Sequence, residues 1–296
     1  MNTQKKPLYK HLLFWEILLG ALLIFGIVIY IVVELGKPLP DSSQNNPPVV
    51  DENPADEDEP NQQEDPTDSN APEPNPIGLT DFETKNGYLS CLTTPSVLGI
   101  DVSYWQGNID WQQVKKAGID FAMIRVAWRG SEEGIIATDD YVQINYNGAT
   151  NAGIKVGAYF FSQAISVEEA IEEAEYLLDI IKDWNIEMPV VYDWEFVSLG
   201  SRTGKVDART LTDCVKAFCD TVAAAGYDPM VYFGADHSFN GIYLEELTDY
   251  KFWLAQYNTV LNYPYKIDMW QYTETGSVPG ISGNVDINLY FPWEAD

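Results

Sequence analysis

The chain has 296 residues, of which 45 are acidic and 17 basic, so its formal net charge at neutral pH is −28. This surplus of negative charge argues against a nucleic-acid partner, because affinity for phosphates comes mainly from Lys and Arg. The only histidines are His11 and His237, which disfavours catalytic zinc sites and nucleophiles that need a histidine base. We therefore expect acid–base chemistry by Asp and Glu, with neither a metal nor another cofactor.

An apolar segment lies near the N-terminus, at residues 12–33. Its 22 residues contain a single charge, Glu16. As a helix they would reach ~33 Å, enough to cross a hydrocarbon core of ~30 Å. The lysines of residues 1–11 place that end in the cytoplasm by the positive-inside rule. A cleaved signal peptide is the alternative, but the run is long and no small-residue cleavage site follows it. The sequence thus predicts a single-pass cell-membrane protein whose remaining chain is extracellular.

The next segment, residues 34–76, has a distinct composition. Between positions 38 and 76 the chain has 11 acidic residues, no basic ones and 10 of its 17 prolines. Low hydrophobicity, one sign of charge and frequent proline predict a disordered extracellular tether. A recruitment site for a basic partner is the alternative interpretation of the charge run. A lead-in segment, 77–96, then joins the tether to the last region.

Residues 97–296 alternate between predicted strands and helices. The first five strand candidates are separated by helix-length segments, and the last three by shorter or irregular spacers: 98–103, 121–127, 156–162, 189–195, 230–234, 252–257, 268–274 and 285–291. This order predicts an α/β fold, a TIM-like β/α barrel of five βα units plus three strands, with reduced helices in its last part. An open doubly wound sheet is the alternative, although no GxGxxG motif follows any strand.

Two helix starts are marked by the spacing of a capping box. Ser166 is followed three residues later by Glu169, and Thr210 by Asp213. The helix after Ser166 keeps one face apolar as far as Trp184. These signals place helices after the third and fourth predicted strands.

Acidic residues interrupt three of the apolar strands. Asp193 and Glu195 end the strand at 189–195 and, two residues apart, point to the same face. In a β/α barrel the strand C-termini line the active site, and two neighbouring carboxyls raise one pKa, which keeps an acid protonated near neutral pH. Asp101 and Asp286 interrupt two further strands, where each is either a structural hydrogen-bonding group or a cleft residue. Four such acids in one barrel favour a glycosidase site.

The residues that surround these acids resemble glycoside hydrolase family 25, the Chalaropsis-type lysozymes. The resemblance rests on blocks in a fixed order, namely GIDVS (99–103), GAYFF (157–161), DWE (193–195), WLAQY (253–257), WQY (270–272) and GISGNVD (280–286). It covers essentially all of 97–296. Tyr104 is a departure, because the family often has His at this place, and it leaves the substrate contacts nearby open.

The resemblance implies an N-acetylmuramidase that cleaves the β-1,4 bond between N-acetylmuramic acid and N-acetylglucosamine in peptidoglycan. By matching of motifs, Glu195 is the expected general acid/base and Asp193 assists the acetamido group of the substrate or the developing cation. Asp101 and Asp286 are the expected flanking acids of the site. A retaining, substrate-assisted route is predicted, because no carboxylate beyond the Asp-x-Glu pair is evidently placed as a nucleophile.

Aromatic residues supply the remaining predicted contacts to the substrate. Sugar rings stack on aromatic faces, and we expect Tyr159, Tyr232 and Trp270 to bind the glycan strand. Two alternatives from the sequence remain open at this point. One is a non-catalytic protein that binds cell-wall glycan, and the other is a chitinase-like hydrolase of N-acetylglucosamine polymers.

Overall fold

The structure is a computed structural model that describes residues 71–235 and 241–293. The predicted cytoplasmic segment, the membrane helix at 12–33 and the tether up to residue 70 lie outside these ranges, as does His237. Within the described ranges, no helix is long and apolar enough to cross a membrane.

Strands dominate the described part of the chain. Their bounds are β1 (Phe82–Lys85), β2 (Tyr88–Cys91), β3 (Val97–Val102), β4 (Phe121–Arg129), β5 (Ile136–Thr138), β6 (Lys155–Ser162), β7 (Val190–Trp194), β8 (Pro229–Gly234), β9 (Lys251–Ala255), β10 (Met269–Gly276) and β11 (Val285–Tyr290). Eight of them, β3, β4 and β6 to β11, correspond to the eight predicted strands. They form one sheet that closes on itself, because β3 pairs with both β4 and β11. The predicted eight-stranded barrel is therefore confirmed.

The barrel is parallel except for its last strand. Every pairing from β3 through β4, β6, β7, β8 and β9 to β10 is parallel, whereas β11 runs antiparallel to both β10 and β3. β5 adds an antiparallel strand to the edge of β4. Because β11 is reversed, its first residues lie at the rim where the parallel strands end.

Four α-helices among the described residues connect the first five barrel strands: α1 (Trp111–Lys116), α2 (Val142–Asn151), α3 (Val167–Ile181) and α4 (Ala208–Ala224). After β8 the described chain contains only a short 3-10 helix, Leu244–Glu246. The expectation of few helices in the last part is thus met, while the described residues of the fifth βα unit contain this 3-10 helix and no α-helix. Ser166 caps α3 as predicted, but α4 begins earlier than expected, with Asp207 as its cap.

The barrel interior is filled by a small cluster of large side chains. Phe121, Met123, Val191, Met230 and Met269 are fully buried there. Gly99 on β3 leaves room for the ring of Phe121, since a Cβ at this position would lie 2.3 Å from ring atoms. Each such buried side chain contributes ~2 kcal/mol or more to stability. The opposite faces of the strands form a second, larger cluster with the helices.

The lead-in segment packs on the outside of the barrel. Its strands β1 and β2 form a hairpin whose turn has positive φ at Asn86 and Gly87, as a tight two-residue turn requires. Phe82 contacts the ring of Trp270 edge-on at 4.9 Å between centroids. The last residues of the predicted tether also contact the barrel, because Pro74 forms a β-bridge with Tyr265. The ordered fold therefore begins before residue 77.

Candidate active site

The four predicted acids meet at one rim of the barrel. Asp101 lies at the end of β3, Asp193 in β7 and Glu195 directly after β7. Asp286 is the second residue of β11, and the reversed direction of that strand places it opposite Asp101 in the ladder. All four line one cleft of about 260 Å³. The structure therefore brings together acids that lie up to 185 positions apart in the sequence.

Asp101 is held by a network of uncharged donors. Its Oδ2 accepts a hydrogen bond from Gln271 Nε2 at 2.9 Å and another from Asn288 Nδ2 at 2.8 Å. Asn288 is oriented in turn by Trp253, whose Nε1 donates to Asn288 Oδ1 at 2.9 Å. Burial raises the pKa of Asp101, and these hydrogen bonds to its charged form offset part of that rise.

Asp286 is the protonated partner of this pair. Burial, followed by the negative charge of Asp101, raises the pKa of Asp286 to about 9. Since the two carboxyls hydrogen-bond to each other and only Asp101 has amide donors, the shared proton resides on Asp286. The flanking acids thus hold one proton and one negative charge near neutral pH.

Asp193 and Glu195 form a second coupled pair. Asp193 is 6% exposed, and burial together with the charge of Glu195 raises its pKa well above its usual range. Arg125, which also lines the cleft, acts in the opposite direction on Asp193. The Glu195 side chain opens onto the cleft, where desolvation by the cleft walls and the charge of Asp101 raise its pKa. The pair therefore retains a proton at pH values where an isolated carboxyl is ionised.

Glu195 lies beyond the last paired residue of β7, and its backbone is held by a side chain. Gln163, which is fully buried after β6, donates from Nε2 to the carbonyl oxygen of Glu195 at 2.7 Å. Gln163 Oε1 accepts from Thr203 Oγ1 at 3.1 Å, and Arg202 Nη1 donates to the Gln163 carbonyl at 3.0 Å. Arg202 is itself paired with Glu169 on α3. The loop between β7 and α4 and the end of β6 thereby fix where Glu195 sits.

Two of the three predicted aromatic contacts line the cleft. Tyr159 and Tyr232 reach it from β6 and β8, and Tyr232 donates to Gln271 Oε1 at 3.1 Å. Trp270 does not reach the cleft, and this prediction requires correction. Its side chain is fully buried on the outer face of β10, and its Nε1 donates to the carbonyl of Gln256 at 2.8 Å. Strand alternation turns the neighbouring Gln271 inward instead.

The sequence did not single out several residues that the structure places in the cleft. Gln271 and Tyr257 lie within the WQY and WLAQY blocks, which could have identified them from the sequence. In the structure both line the cleft, and Tyr257 donates to Gln271 Oε1 at 3.1 Å. No motif in the sequence indicated that Arg125 in β4 lines the cleft. It is paired with the buried Asp139 at 2.9 Å and lies 4.9 Å above the ring of Tyr104, the residue that departs from the family pattern.

Within residues 71–235 and 241–293, no group of three or more His, Cys, Asp or Glu is arranged to hold a metal ion. What the cleft offers is a solvent-accessible carboxyl beside a buried one, opposite a second pair that holds one negative charge. Such an arrangement can protonate a leaving oxygen and stabilise a developing positive charge.

Comparison with known proteins places the chain among glycoside hydrolases. The family model for "Glycosyl hydrolases family 25" matches residues 100–281. Lysozyme M1 of Streptomyces globisporus is 32% identical over 211 residues, which are 67% of this chain and 68% of that protein. The autolytic lysozyme of Clostridium acetobutylicum is 29% identical over 197 residues, 65% of this chain and 55% of the longer relative.

The fold of the chain is also similar to that of a solved lysozyme structure. The bacterial lysozyme from Streptomyces coelicolor is 30% identical and superposes with a TM-score of 0.54, covering 68% of this chain and 94% of that one. The residues of the family match contain part of β3, the barrel strands from β4 to β10 and three of the four acids, whereas Asp286 in β11 lies five positions beyond it. The chain belongs to glycosyl hydrolase family 25.

Proposed function

We propose that the protein is an N-acetylmuramidase that hydrolyses the β-1,4 bond between N-acetylmuramic acid and N-acetylglucosamine in peptidoglycan. The observation that carries this proposal is the convergence of Glu195 and Asp193, both with raised pKa, at the carboxyl end of β7 in an open cleft. Two relatives of the chain are lysozymes by name, which supports peptidoglycan as the substrate. The site supports a glycosidase more than a glycan receptor, because binding alone does not require an acid held protonated.

The proposed reaction uses the acetamido group of the substrate as the nucleophile. Glu195 donates the proton that it shares with Asp193 to the glycosidic oxygen as the bond from that oxygen to C1 breaks, which leaves the pair negatively charged. The acetamido oxygen attacks C1 and forms an oxazolinium ion, whose N–H and positive charge lie beside Asp193. Water then gives a proton to the Glu195 carboxylate and attacks C1, which restores the acetamido group and leaves the β anomer.

The two flanking acids would contribute electrostatically. Asp101 keeps its negative charge through the amide donors of Gln271 and Asn288, and it raises the pKa of Glu195. A fixed negative charge also favours an oxocarbenium-like transition state. Asp286 supplies the proton that allows Asp101 and itself to lie side by side.

Substitution of the proposed acid tests the function. Glu195→Gln keeps the shape of the side chain and removes its proton exchange, so release of reducing ends from purified peptidoglycan should fall by about 10²–10⁴-fold. Glu175→Gln, a matched change at an exposed position of α3, should leave the rate unchanged. Equal rates for the Glu195 variant and the unchanged protein would refute its role. Faster cleavage of chitin oligomers than of peptidoglycan would favour the chitinase-like alternative.

The anomer that is released first tests the route. Proton NMR of early product should show the β anomer at the new reducing end, because two displacements at C1 retain the configuration. A first-formed α anomer would exclude the acetamido route and require direct attack by water. Mass analysis of the same digest identifies which of the two sugars carries the reducing end.

We also propose that residues 12–33 anchor the enzyme in the cell membrane and that residues 34–76 hold it on the outer side. The apolar length of the first segment and the acidic, proline-rich composition of the second support this arrangement. The full chain should fractionate with membranes, and a chain that starts at residue 34 should not. Protease added to intact protoplasts should remove the hydrolase domain from the full chain. Protection from that protease would contradict the proposed orientation.

A further inference from the structure

A second depression adjoins the proposed active site. It is a groove of about 590 Å³ between the lead-in hairpin on one side and β10 with the loop after β9 on the other. The ring of Tyr257, which is 51% exposed, lines both this groove and the catalytic cleft. A polymeric substrate that leaves the cleft over Tyr257 would therefore enter the groove directly.

The groove wall has an unusual chemistry for this chain. None of its thirteen lining residues is charged, in a protein with a net charge of −28. Its exposed side chains are mostly alcohols and one amide, from Thr84, Asn258, Thr259, Thr275 and Ser277. Side chains that can both donate and accept hydrogen bonds suit the hydroxyl and acetamido groups of a neutral sugar.

Tyrosines complete the groove. Tyr88 from β2 and Tyr272 from β10 line it together with Tyr257. The rings of Tyr88 and Tyr257 supply apolar surface of the kind on which the face of a sugar packs, whereas Tyr272 is buried and supports the hairpin through its hydroxyl. A volume of about 590 Å³ lies within the range of small-ligand sites, roughly 300–1,000 Å³.

The hairpin side of the groove is held firmly against the barrel. Leu89 is buried, and its backbone N–H donates to the hydroxyl of Tyr272 at 3.4 Å. Phe82 packs against Trp270, and Tyr88 donates from its hydroxyl to the carbonyl of Ser277 at 3.4 Å. A wall that is ordered before the ligand arrives lowers the entropic cost of binding. These hairpin residues precede the family match, which begins at residue 100.

We propose that this groove is an accessory binding site for uncharged N-acetylamino sugars of the same glycan strand that occupies the cleft. The proposal rests on the peptidoglycan-hydrolase function proposed above. A stem peptide is a poorer occupant, because its carboxylate and amino groups would meet no charged partner in the groove. The hairpin would thus extend the contact of the enzyme with long glycan strands without touching the scissile bond.

The test uses one variant that removes hydroxyl groups from the groove and keeps its shape, and a second that removes an aromatic ring. The double variant Thr84→Val and Thr275→Val replaces two exposed hydroxyls by methyl groups, and Tyr88→Ala removes a ring. The matched control is Glu83→Gln, an exposed hairpin residue that does not line the groove. Thermal unfolding of each variant identifies any that fail to fold, and the double Val variant should keep the unfolding midpoint of the unchanged protein because both sites are exposed.

The readout compares a long substrate with a short one. On polymeric glycan strands, KM should rise about 5–10-fold in both groove variants with kcat unchanged, because remote contacts are lost equally in the ground and transition states. On a soluble tetrasaccharide of the wall, KM and kcat should match those of the Glu83 control. An unchanged KM on long strands would overturn the proposal, and so would an equal loss on both substrates.

Direct binding separates this proposal from the catalytic one. N-acetylglucosamine oligomers titrated into the 15N-labelled protein should shift backbone resonances of residues 84–89, and the Tyr88→Ala variant should weaken that binding. Perturbation of these residues by free stem peptide and not by the oligomers would overturn the proposal. Failure of the unchanged protein to cleave peptidoglycan would refute the catalytic function alone, since the titration does not depend on turnover.

Discussion

Gln163 offers the sharpest test of how the fold positions its proposed acid. Its side chain makes three hydrogen bonds, from Nε2 to the carbonyls of Glu195 at 2.7 Å and Ser162 at 2.8 Å, and from Thr203 Oγ1 to Oε1 at 3.1 Å. Gln163→Ala removes all three. At about 1 kcal/mol net for each bond, we expect the free energy of unfolding to fall by about 3 kcal/mol.

The same substitution should lower catalysis more than binding. Without the donor at its carbonyl, the backbone of Glu195 can shift, and a displacement near 1 Å can cost about 10²-fold in rate. We expect kcat on a soluble wall tetrasaccharide to fall about 10- to 100-fold with KM changed less than threefold. The alkaline limb of the pH–rate profile should also move, because the surroundings of the Glu195 carboxyl change.

Thr212→Val is the matched control for a purely structural effect. Thr212 is fully buried in α4, donates to the carbonyl of Ala208 at 2.8 Å and accepts from Tyr243 N at 3.0 Å. Its loss should cost about 2 kcal/mol of stability and leave kcat unchanged. If Gln163→Ala lost stability while keeping kcat within twofold, the inference that Gln163 positions Glu195 would be wrong.

Three further predictions concern the buried charges. Asp286 has a pKa raised to about 9, so the folded state keeps a proton that the unfolded chain releases near pH 4, and stability falls as the pH rises between these values. For one proton, the free energy of unfolding falls by at most about 1.4 kcal/mol per pH unit. Urea unfolding at pH 5, 7 and 9 should show a smaller decrease with rising pH in Asp286→Asn than in the unchanged protein. Asp101→Asn removes a charge that raises the pKa of Glu195, so the alkaline limb of kcat/KM should move to lower pH. Arg129→Met should cost about 3–5 kcal/mol, because it leaves the buried Glu173, with a pKa of about 7, without its cation.

Each of these has a contrary outcome. A stability profile of the Asp286 variant that runs parallel to that of the unchanged protein would show that this carboxyl does not hold the proton. If the alkaline limb of the pH profile stayed in place in the Asp101 variant, the charge of Asp101 would not be what raises the pKa of Glu195. For Arg129 the control is Glu172→Ala, since the Glu172 side chain is 63% exposed in its pair with Arg129 and should contribute less than about 1 kcal/mol. Equal losses at Arg129 and Glu172 would contradict the argument from burial.

Local sequence patterns were enough to predict most of the barrel. Apolar runs separated by helix-length segments marked all eight strands, because strand formation and strand burial both depend on short-range composition. The start of α4 was predicted at Thr210, yet Asp207 accepts from the backbone of Thr210 and caps the helix. Both residues have acceptable capping chemistry, and the sequence does not rank them. Helix ends are therefore decided by a small energy difference.

The tertiary structure decided which side chains reach the cleft. Trp270 and Gln271 are neighbours in β10, so they must face opposite sides, but alternation alone does not say which of them faces inward. Packing of Phe82 against Trp270 and the hydrogen bond from Gln271 to Asp101 settle it. Arg125 and Gln163 reach the site only through strand register and the loop after β7, which no local pattern encodes.

The sequence by itself determined the chemistry of this protein: paired carboxyls at strand ends, scarce histidine and the order of the family blocks. These follow from residue type and spacing along one strand, which are short-range properties. The tertiary structure decided how those groups act together. Closure of the barrel by an antiparallel β11 brings Asp286 beside Asp101, 185 positions away, and burial at that rim, followed by the charge of Asp101, raises the pKa of Asp286 to about 9.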